Sequence, residues 1–231
     1  MIGGWFVTGT DTGVGKTCVA EALLQALSRK GLRGVGMKPV ASGCERGSDG
    51  VRSPDALRLR AASSVTVDYR DLNPYAFEAP IAPHIAAVQA GVEAQLGVVQ
   101  RHFARLAEKA DWVVVEGAGG WCVPLNRNQL LSDMARSMGL PVILVVGMRL
   151  GCINHALLTA RAVRGDGVRL AGWVANCIDA AFDFVPENLA AIDQRLGAPC
   201  LALIPFNKAN KSDAWQAAGD AMLAGLLPDW S

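Results

Sequence analysis

The chain has 231 residues, is 51% hydrophobic and carries a formal net charge of +1 at pH 7. That length can bury a large core, and the near-neutral charge argues against broad electrostatic attraction to nucleic acid or to a membrane surface. The apolar runs are too short to span a bilayer and no basic stretch precedes an apolar core at the N-terminus, so the expectation is a cytoplasmic protein folded as one domain over residues 1–231.

The first predicted element is a strand over residues 5–8, Trp5-Phe6-Val7-Thr8. It runs into Gly9-Thr10-Asp11-Thr12-Gly13-Val14-Gly15-Lys16-Thr17, a glycine-bearing loop that opens a helix. Such a loop turns successive backbone N–H groups inward against the positive end of the helix dipole. Lys16 supplies a mobile charge for β- and γ-phosphates, and the Thr17 hydroxyl a ligand for Mg²⁺. The chain is therefore expected to bind ATP or GTP. The strict phosphate-loop pattern has a glycine five residues before Gly15, where this chain has Thr10; Gly9 stands one place early. Ala20, Leu23, Leu24 and Leu27 recur at helical spacing behind the loop, and Gly31 ends that helix.

A second strand over residues 35–38 ends in Met37-Lys38-Pro39-Val40-Ala41-Ser42-Gly43. Taken alone, Lys38 could be an ordinary surface lysine. Beside the phosphate loop, a second cation next to Lys16 would serve two anions that must meet. Phosphoryl transfer to an anionic acceptor faces like-charge repulsion, which fixed cations offset. Residues 43–53 read as a long loop. Ser53-Pro54-Asp55-Ala56 then reads as a helix start, with Ser53 as N-cap and Pro54 in the first helical position. Asp55 suits the helix dipole whether or not it has another role. Residues 73–84 are proline-rich and fit neither regular helix nor central strand, giving a second long loop of the kind that often carries function.

Leu96, Val99, Phe103 and Leu106 mark an amphipathic helix. The third strand, residues 112–116, ends in Glu116-Gly117-Ala118-Gly119-Gly120. An acid there is where nucleotide-binding proteins keep the carboxylate that orients Mg²⁺, and the small residues let backbone approach a triphosphate. Strands over residues 142–146, 170–176 and 200–204 follow. Asn176, ending the fifth, can pair with the N6 and N7 edge of adenine or tie down a turn. Leu189, Ile192 and Leu196 mark a helix opened by Pro186-Glu187 and closed by Gly197-Ala198-Pro199. Six apolar strands alternating with helices predict an α/β fold: doubly wound, mainly parallel, with helices on both faces and P-loop NTPase-like. Ligands gather at the carboxyl strand ends of such sheets. The six cysteines and three histidines lack metal-ligand spacing, and the cysteines read as reduced thiols.

Together these segments resemble the dethiobiotin synthetase family, the ATP-dependent cyclo-ligases of biotin synthesis. The likeness rests on residues 6–12 with Val14-Gly15-Lys16-Thr17, on residues 38–43, and on Asn73-Pro74-Tyr75 with Pro83-His84. It rests equally on residues 115–120, on Leu150-Gly151-Cys152-Ile153-Asn154-His155, and on residues 171–176. It implies a reaction joining diaminopelargonic acid, CO₂ (or bicarbonate) and ATP into dethiobiotin, with Mg²⁺ as cofactor. By the same resemblance, Lys16 and Lys38 are catalytic, and Thr17, Asp55 and Glu116 hold the metal. Gly13, Val14, Gly15, Cys18, Gly117, Ala118 and Gly119 join them around the nucleotide, with Asn176 and Pro205 at adenine. Thr12 and Ser42 serve the diamine and carbamate end. The family is homodimeric, and Gly151, Cys152, Ile153 and Asn154 of one subunit bind the distal carboxylate in the other's site, Cys152 as a loop residue. Neither nucleic acid nor membrane is an expected partner.

Two positions depart from the family pattern: Gly13 stands where some members carry glutamate, and Cys177 where an acid is sometimes found. Residues 206–231 match poorly, so no contact is assigned there. Regulatory ATPases of the partition and septum-site kind share the expected fold, but their loop carries a further lysine, which would fall at Asp11 here.

Overall fold

The computed structural model describes residues 2–206 and 211–227. Strand β1 (Gly3–Gly9) leads into helix α1 (Lys16–Arg29), then β2 (Gly34–Met37) and the two-residue β3 (Val40–Ala41). A hairpin of β4 (Glu45–Gly47) and β5 (Gly50–Arg52) precedes α2 (Pro54–Ala62) and the single turn α3 (Tyr69–Leu72). Next come β6 (Tyr75–Ala76), α4 (Pro83–Gln89), α5 (Leu96–Ala107) and β7 (Trp112–Glu116). The order continues with α6 (Leu131–Met138), β8 (Val142–Met148), α7 (Cys152–Gly165) and β9 (Leu170–Cys177). It ends with α8 (Val185–Leu196), β10 (Cys200–Ile204) and α9 (Lys211–Leu226).

Six strands form one parallel sheet in the order β10-β9-β8-β1-β7-β2. They are the six that apolar patterning predicts, because a strand buried on both faces must be apolar at both alternating sets of positions. Trp5, Val7, Val114, Ile143, Val145 and Val174 pack on one face against Leu23, Leu24 and Leu27 of α1 and Met222 of α9. Phe6, Val113 and Val115 face the opposite layer with Val99 and Leu106 of α5 and Met134 of α6, while Leu144, Val146 and Trp173 meet α7 and α8. Truncating any of these fully buried leucines to alanine should cost about 2–5 kcal/mol. The sheet is thus doubly wound, with helices on both faces. The chain leaves β1 through α1 toward β2 on one side, and β7 passes through α6 to β8 on the other. β1 therefore marks the switch point where such folds open a ligand crevice.

Local signals hold where the chemistry is local. The Ser53 hydroxyl accepts from the Ala56 N–H at 3.3 Å, with Pro54 opening α2. Gly197 closes α8 with φ 67°. The loop over residues 43–53 is different from its reading: it contains the β4–β5 antiparallel hairpin. Glu45-Arg46-Gly47 is wholly exposed and carries no apolar alternation, so only the Asp49-Gly50 turn pair signalled it. The proline-rich stretch is likewise more ordered than a plain loop. Tyr75 and Ala76 pair in parallel with Val40 and Ala41, and Pro83 takes the first turn of α4.

Candidate active site

The loop between β1 and α1 is shaped by two contacts from neighbouring strands. The Thr10 N–H donates to the Val145 carbonyl of β8 at 3.0 Å. No residue other than glycine has positive φ among those described, so Thr10 sits in ordinary backbone and the strict pattern's glycine is not needed there. Gly15 is needed: it caps α1 at φ 97°, and a Cβ on it would come within 2.4 Å of Asn176 Nδ2. Asn176, near the end of β9, donates to the Val14 carbonyl at 2.8 Å and so ties down the loop across β8 and β1. Val14 itself is buried and does not line the cavity.

Behind the loop lies an ion cluster with a buried pair at its centre and a partly exposed carboxylate at its edge. Lys38, the first residue past β2, reaches Glu116 Oε1 at 2.5 Å, Asp55 Oδ2 at 3.0 Å and the Gly117 carbonyl at 3.2 Å. Its side chain and that of Glu116, the last residue of β7, are 5% and 1% exposed. Burial alone would push Lys38 down, but Glu116 and Asp55 outweigh it and hold the ammonium above the usual lysine value. Asp55, in the first turn of α2, is raised by burial yet falls below the ordinary carboxylate value because of Lys38 and Thr17. The Thr17 hydroxyl donates to Glu116 Oε1 at 2.9 Å. Lys16 folds back to donate to the Asp11 carbonyl at 2.8 Å. Burial first, and the neighbouring Lys38 second, push Lys16 down to about 8.

Glu116 Oε2 is buried with no hydrogen-bond partner. An acceptor oxygen left over beside a second carboxylate and a hydroxyl is the donor set a hard divalent cation takes, with phosphate oxygens and water completing the shell. Thr17, Asp55 and Glu116 therefore fit Mg²⁺.

These residues floor a cavity of about 720 Å³, within the range of small-molecule sites. Gly13, Gly15, Lys16, Thr17 and Cys18 line one side, and Lys38, Asp55, Glu116, Ala118 and Gly119 the other. Thr12 and Ser42 stand at the rim. Gly117 contributes its carbonyl to Lys38. Two wall elements carry no assigned role in the sequence reading. Pro80-Ile81-Ala82-Pro83 lines the cavity along with the phosphate loop, which gives the proline-rich segment a place. Arg58 projects one helical turn beyond Asp55, where it donates to Cys18 Sγ at 3.3 Å and pairs with Glu21. The i, i+3 spacing from Asp55 was its only signal.

The β8–α7 turn is separate. Gly151, Cys152, Ile153 and Asn154 are absent from the cavity wall. Gly151 caps α7 at φ 93°, and Gly151 and Asn154 are exposed. Cys152 is the first residue of α7 and not a loop residue; its thiol is buried, 3.7 Å from Asn188 Oδ1. Leu150 is 91% exposed. Arg149 joins this turn to the phosphate loop by pairing with Asp11 at 2.5 Å. The Thr12 N–H, with Arg149, keeps the Asp11 carboxyl below its usual value despite partial burial. Pro205 lies exposed just past β10, whose Ile204 is in register with Asn176.

A family model described as an AAA domain matches residues 4–213. An ATP-dependent dethiobiotin synthetase of Pseudomonas paraeruginosa is 55% identical over 204 residues, covering 87% of this chain and 89% of that protein. The one of Cellvibrio japonicus is 50% identical over 213 residues, covering 92% and 93%. Among solved structures, the MinC:MinD cell division protein complex of Aquifex aeolicus aligns with a TM-score of 0.60 at 14% identity, over 98% of this chain and 95% of that one. That last likeness is one of fold alone.

Proposed function

The chain belongs to the ATP-dependent dethiobiotin synthetase family, and from that premise we propose that it converts diaminopelargonic acid, CO₂ and ATP into dethiobiotin, ADP and phosphate. The observation that carries the reading is Lys38, an ammonium buried between Glu116 and Asp55 in the same cavity as the phosphate-loop Lys16. A simple nucleotide-binding module has no use for a second buried cation there. A ligase that brings two anions together does.

In this reading one amine of the diamine takes up CO₂ and loses a proton to become a carbamate. A carbamate oxygen attacks the γ-phosphorus and ADP departs, leaving a carbamic-phosphoric anhydride. The second amine attacks the carbonyl carbon, phosphate leaves, and a proton is lost as the ureido ring closes. Lys16 would leave the Asp11 carbonyl for the β- and γ-phosphates, and the inward N–H groups of residues 13–18 would hold their oxygens. Lys38 offsets the charge where carbamate meets phosphate. Thr17, Asp55 and Glu116 would hold Mg²⁺, which supplies further neutralisation of the triphosphate. Gly117, Ala118 and Gly119 offer close backbone to the phosphates, and Thr12 and Ser42 at the rim serve the carbamate end.

Asn176 and Pro205 flank the adenine. The Asn176 donation to Val14 leaves its Oδ1 and second N–H for that edge. Gly151, Ile153 and Asn154 would act in a homodimer, each subunit's turn binding the substrate carboxylate in its partner's cavity; Cys152 would contribute only backbone. The reading takes residues 1–231 as one ligase domain working in the cytoplasm. Among the described residues no helix is long and apolar enough to cross a membrane.

The test is phosphate release from Mg-ATP with and without diaminopelargonic acid and bicarbonate, with mass detection of the product. Release that requires both, with dethiobiotin formed, supports the proposal. ATP binding without diamine-dependent turnover would overturn it.

A further inference from the structure

The Asn73-Pro74-Tyr75 segment is one of those that carry the family resemblance, yet none of its side chains lines the cavity. Asn73 is 4% exposed and Tyr69, one turn earlier on α3, is 7% exposed. Both are engaged in a polar chain that ends on the catalytic groups. Asn73 Nδ2 donates to the Lys38 carbonyl at 2.6 Å and to the Tyr75 carbonyl at 3.2 Å. Two carbonyls on that side fix the amide orientation, so Oδ1 must accept, and it does so from the Tyr69 hydroxyl at 2.9 Å. The hydroxyl, having donated, accepts in turn from the Ser53 N–H at 2.7 Å. Ser53 is the N-cap of α2, two residues before Asp55. On the other side the Lys38 N–H donates to the Leu72 carbonyl at 2.9 Å. Both backbone polar groups of Lys38 are thus held by α3 and the residue after it, and the same tyrosine holds the start of the helix that carries Asp55.

We propose that Tyr69 and Asn73 are positioning residues that set the separation of Lys38 from Asp55, and through it the affinity of the site for Mg²⁺ with ATP. The phenol is the one link between the two elements in this chain of bonds, and each of its partners is buried, so no water can replace it without rearrangement. Shifting the α2 start moves Asp55 away from Glu116 and opens the metal position, as loss of outer hydrogen bonds does to metal ligands generally. The proposal rests on the assignment of Asp55 and Glu116 to the metal, though not on the identity of the organic substrate.

The experiment is calorimetric titration of ATP into the full chain over a range of Mg²⁺ concentrations, for the unaltered protein, Tyr69→Phe and Arg52→Ala. Arg52 stacks its guanidinium 4.3 Å from the centre of the Tyr69 ring and donates its hydrogen bond to the Val51 carbonyl rather than to the hydroxyl. Tyr69→Phe should raise the Mg²⁺ concentration for half-maximal enhancement of ATP binding about 10-fold, with ATP binding in the absence of Mg²⁺ unchanged. Arg52→Ala should leave that midpoint where it is. A Tyr69→Phe midpoint within about twofold of the original, or an equal shift in Arg52→Ala, would overturn the proposal, the second result marking a packing effect. Absence of diamine-dependent turnover in the unaltered protein counts against the ligase reading alone, because this titration contains no diamine.

Discussion

Around β7 and β2 the edge of the cavity is built within one chain: Lys38 and Glu116 form a buried ion pair that the partly exposed Asp55 joins, with Thr17 bonded into it. At the β8–α7 turn, on the other side of β1, the same edge offers exposed Gly151 and Asn154 beside a Leu150 that is almost wholly in solvent. The first region is costly to disturb and needs nothing but ligand. The second is tied to its own chain by Arg149 with Asp11 and leaves polar groups and an apolar side chain in solvent. The proposed dimer would use that contrast, its phosphate half lying within one chain and its carboxylate half being completed by a second copy.

The sharpest way to break the contrast is in the ion cluster. Lys38→Ala should leave the buried Glu116 carboxylate without its cation and destabilise the fold by about 3–5 kcal/mol, read by urea unfolding. Added Mg²⁺ should recover more stability in that variant than in the original. Lys16→Ala should leave unfolding cooperative but lower turnover by about 10²- to 10³-fold, measured as phosphate release.

The next effect tests the other half. Lys16→Ala and Asn154→Ala subunits, each inactive alone, should regain about a quarter of full activity when unfolded together and refolded as mixed dimers. One of the two cavities in a mixed dimer has both its lysine and its partner's asparagine. No recovery would overturn the assignment of the β8–α7 turn to the partner's cavity.

A smaller effect comes from pH. Lys16 is held near 8 in the ligand-free protein against 10.5 for a free lysine. The folded chain therefore binds fewer protons than the unfolded one between those values, and the penalty for charged, buried Lys16 is present below about 8 and relieved above it. Phosphate needs the charged form. ATP affinity should fall as pH rises through about 8, by up to about tenfold per unit, and binding there should take up a proton, seen by calorimetry in buffers of different ionisation enthalpy. The smallest effect belongs to Arg149→Ala. It removes a half-exposed pair with Asp11 and should change stability by less than about 1 kcal/mol in thermal unfolding.

The six sheet strands, the helix behind the phosphate loop, the Ser53 cap and the order Lys16, Lys38, Asp55, Glu116 along the chain were legible in the sequence. Each depends on residues close together in sequence: apolar alternation, a cap three residues from its donor, a glycine-lysine-threonine at a strand-to-helix junction. The β4–β5 hairpin was missed because both its strands lie at the surface and bury no apolar stripe for patterning to detect. Only the tertiary structure decided that Lys38 is spent on two carboxylates, that Asn176 braces Val14, and that the Pro80–Pro83 stretch walls the cavity. Those outcomes join residues from 17 to 162 positions apart, through strand order and the depth of burial, which single-sequence periodicity does not encode. Within a few positions the backbone dictates geometry; across the sheet, it is packing that chooses which charges meet.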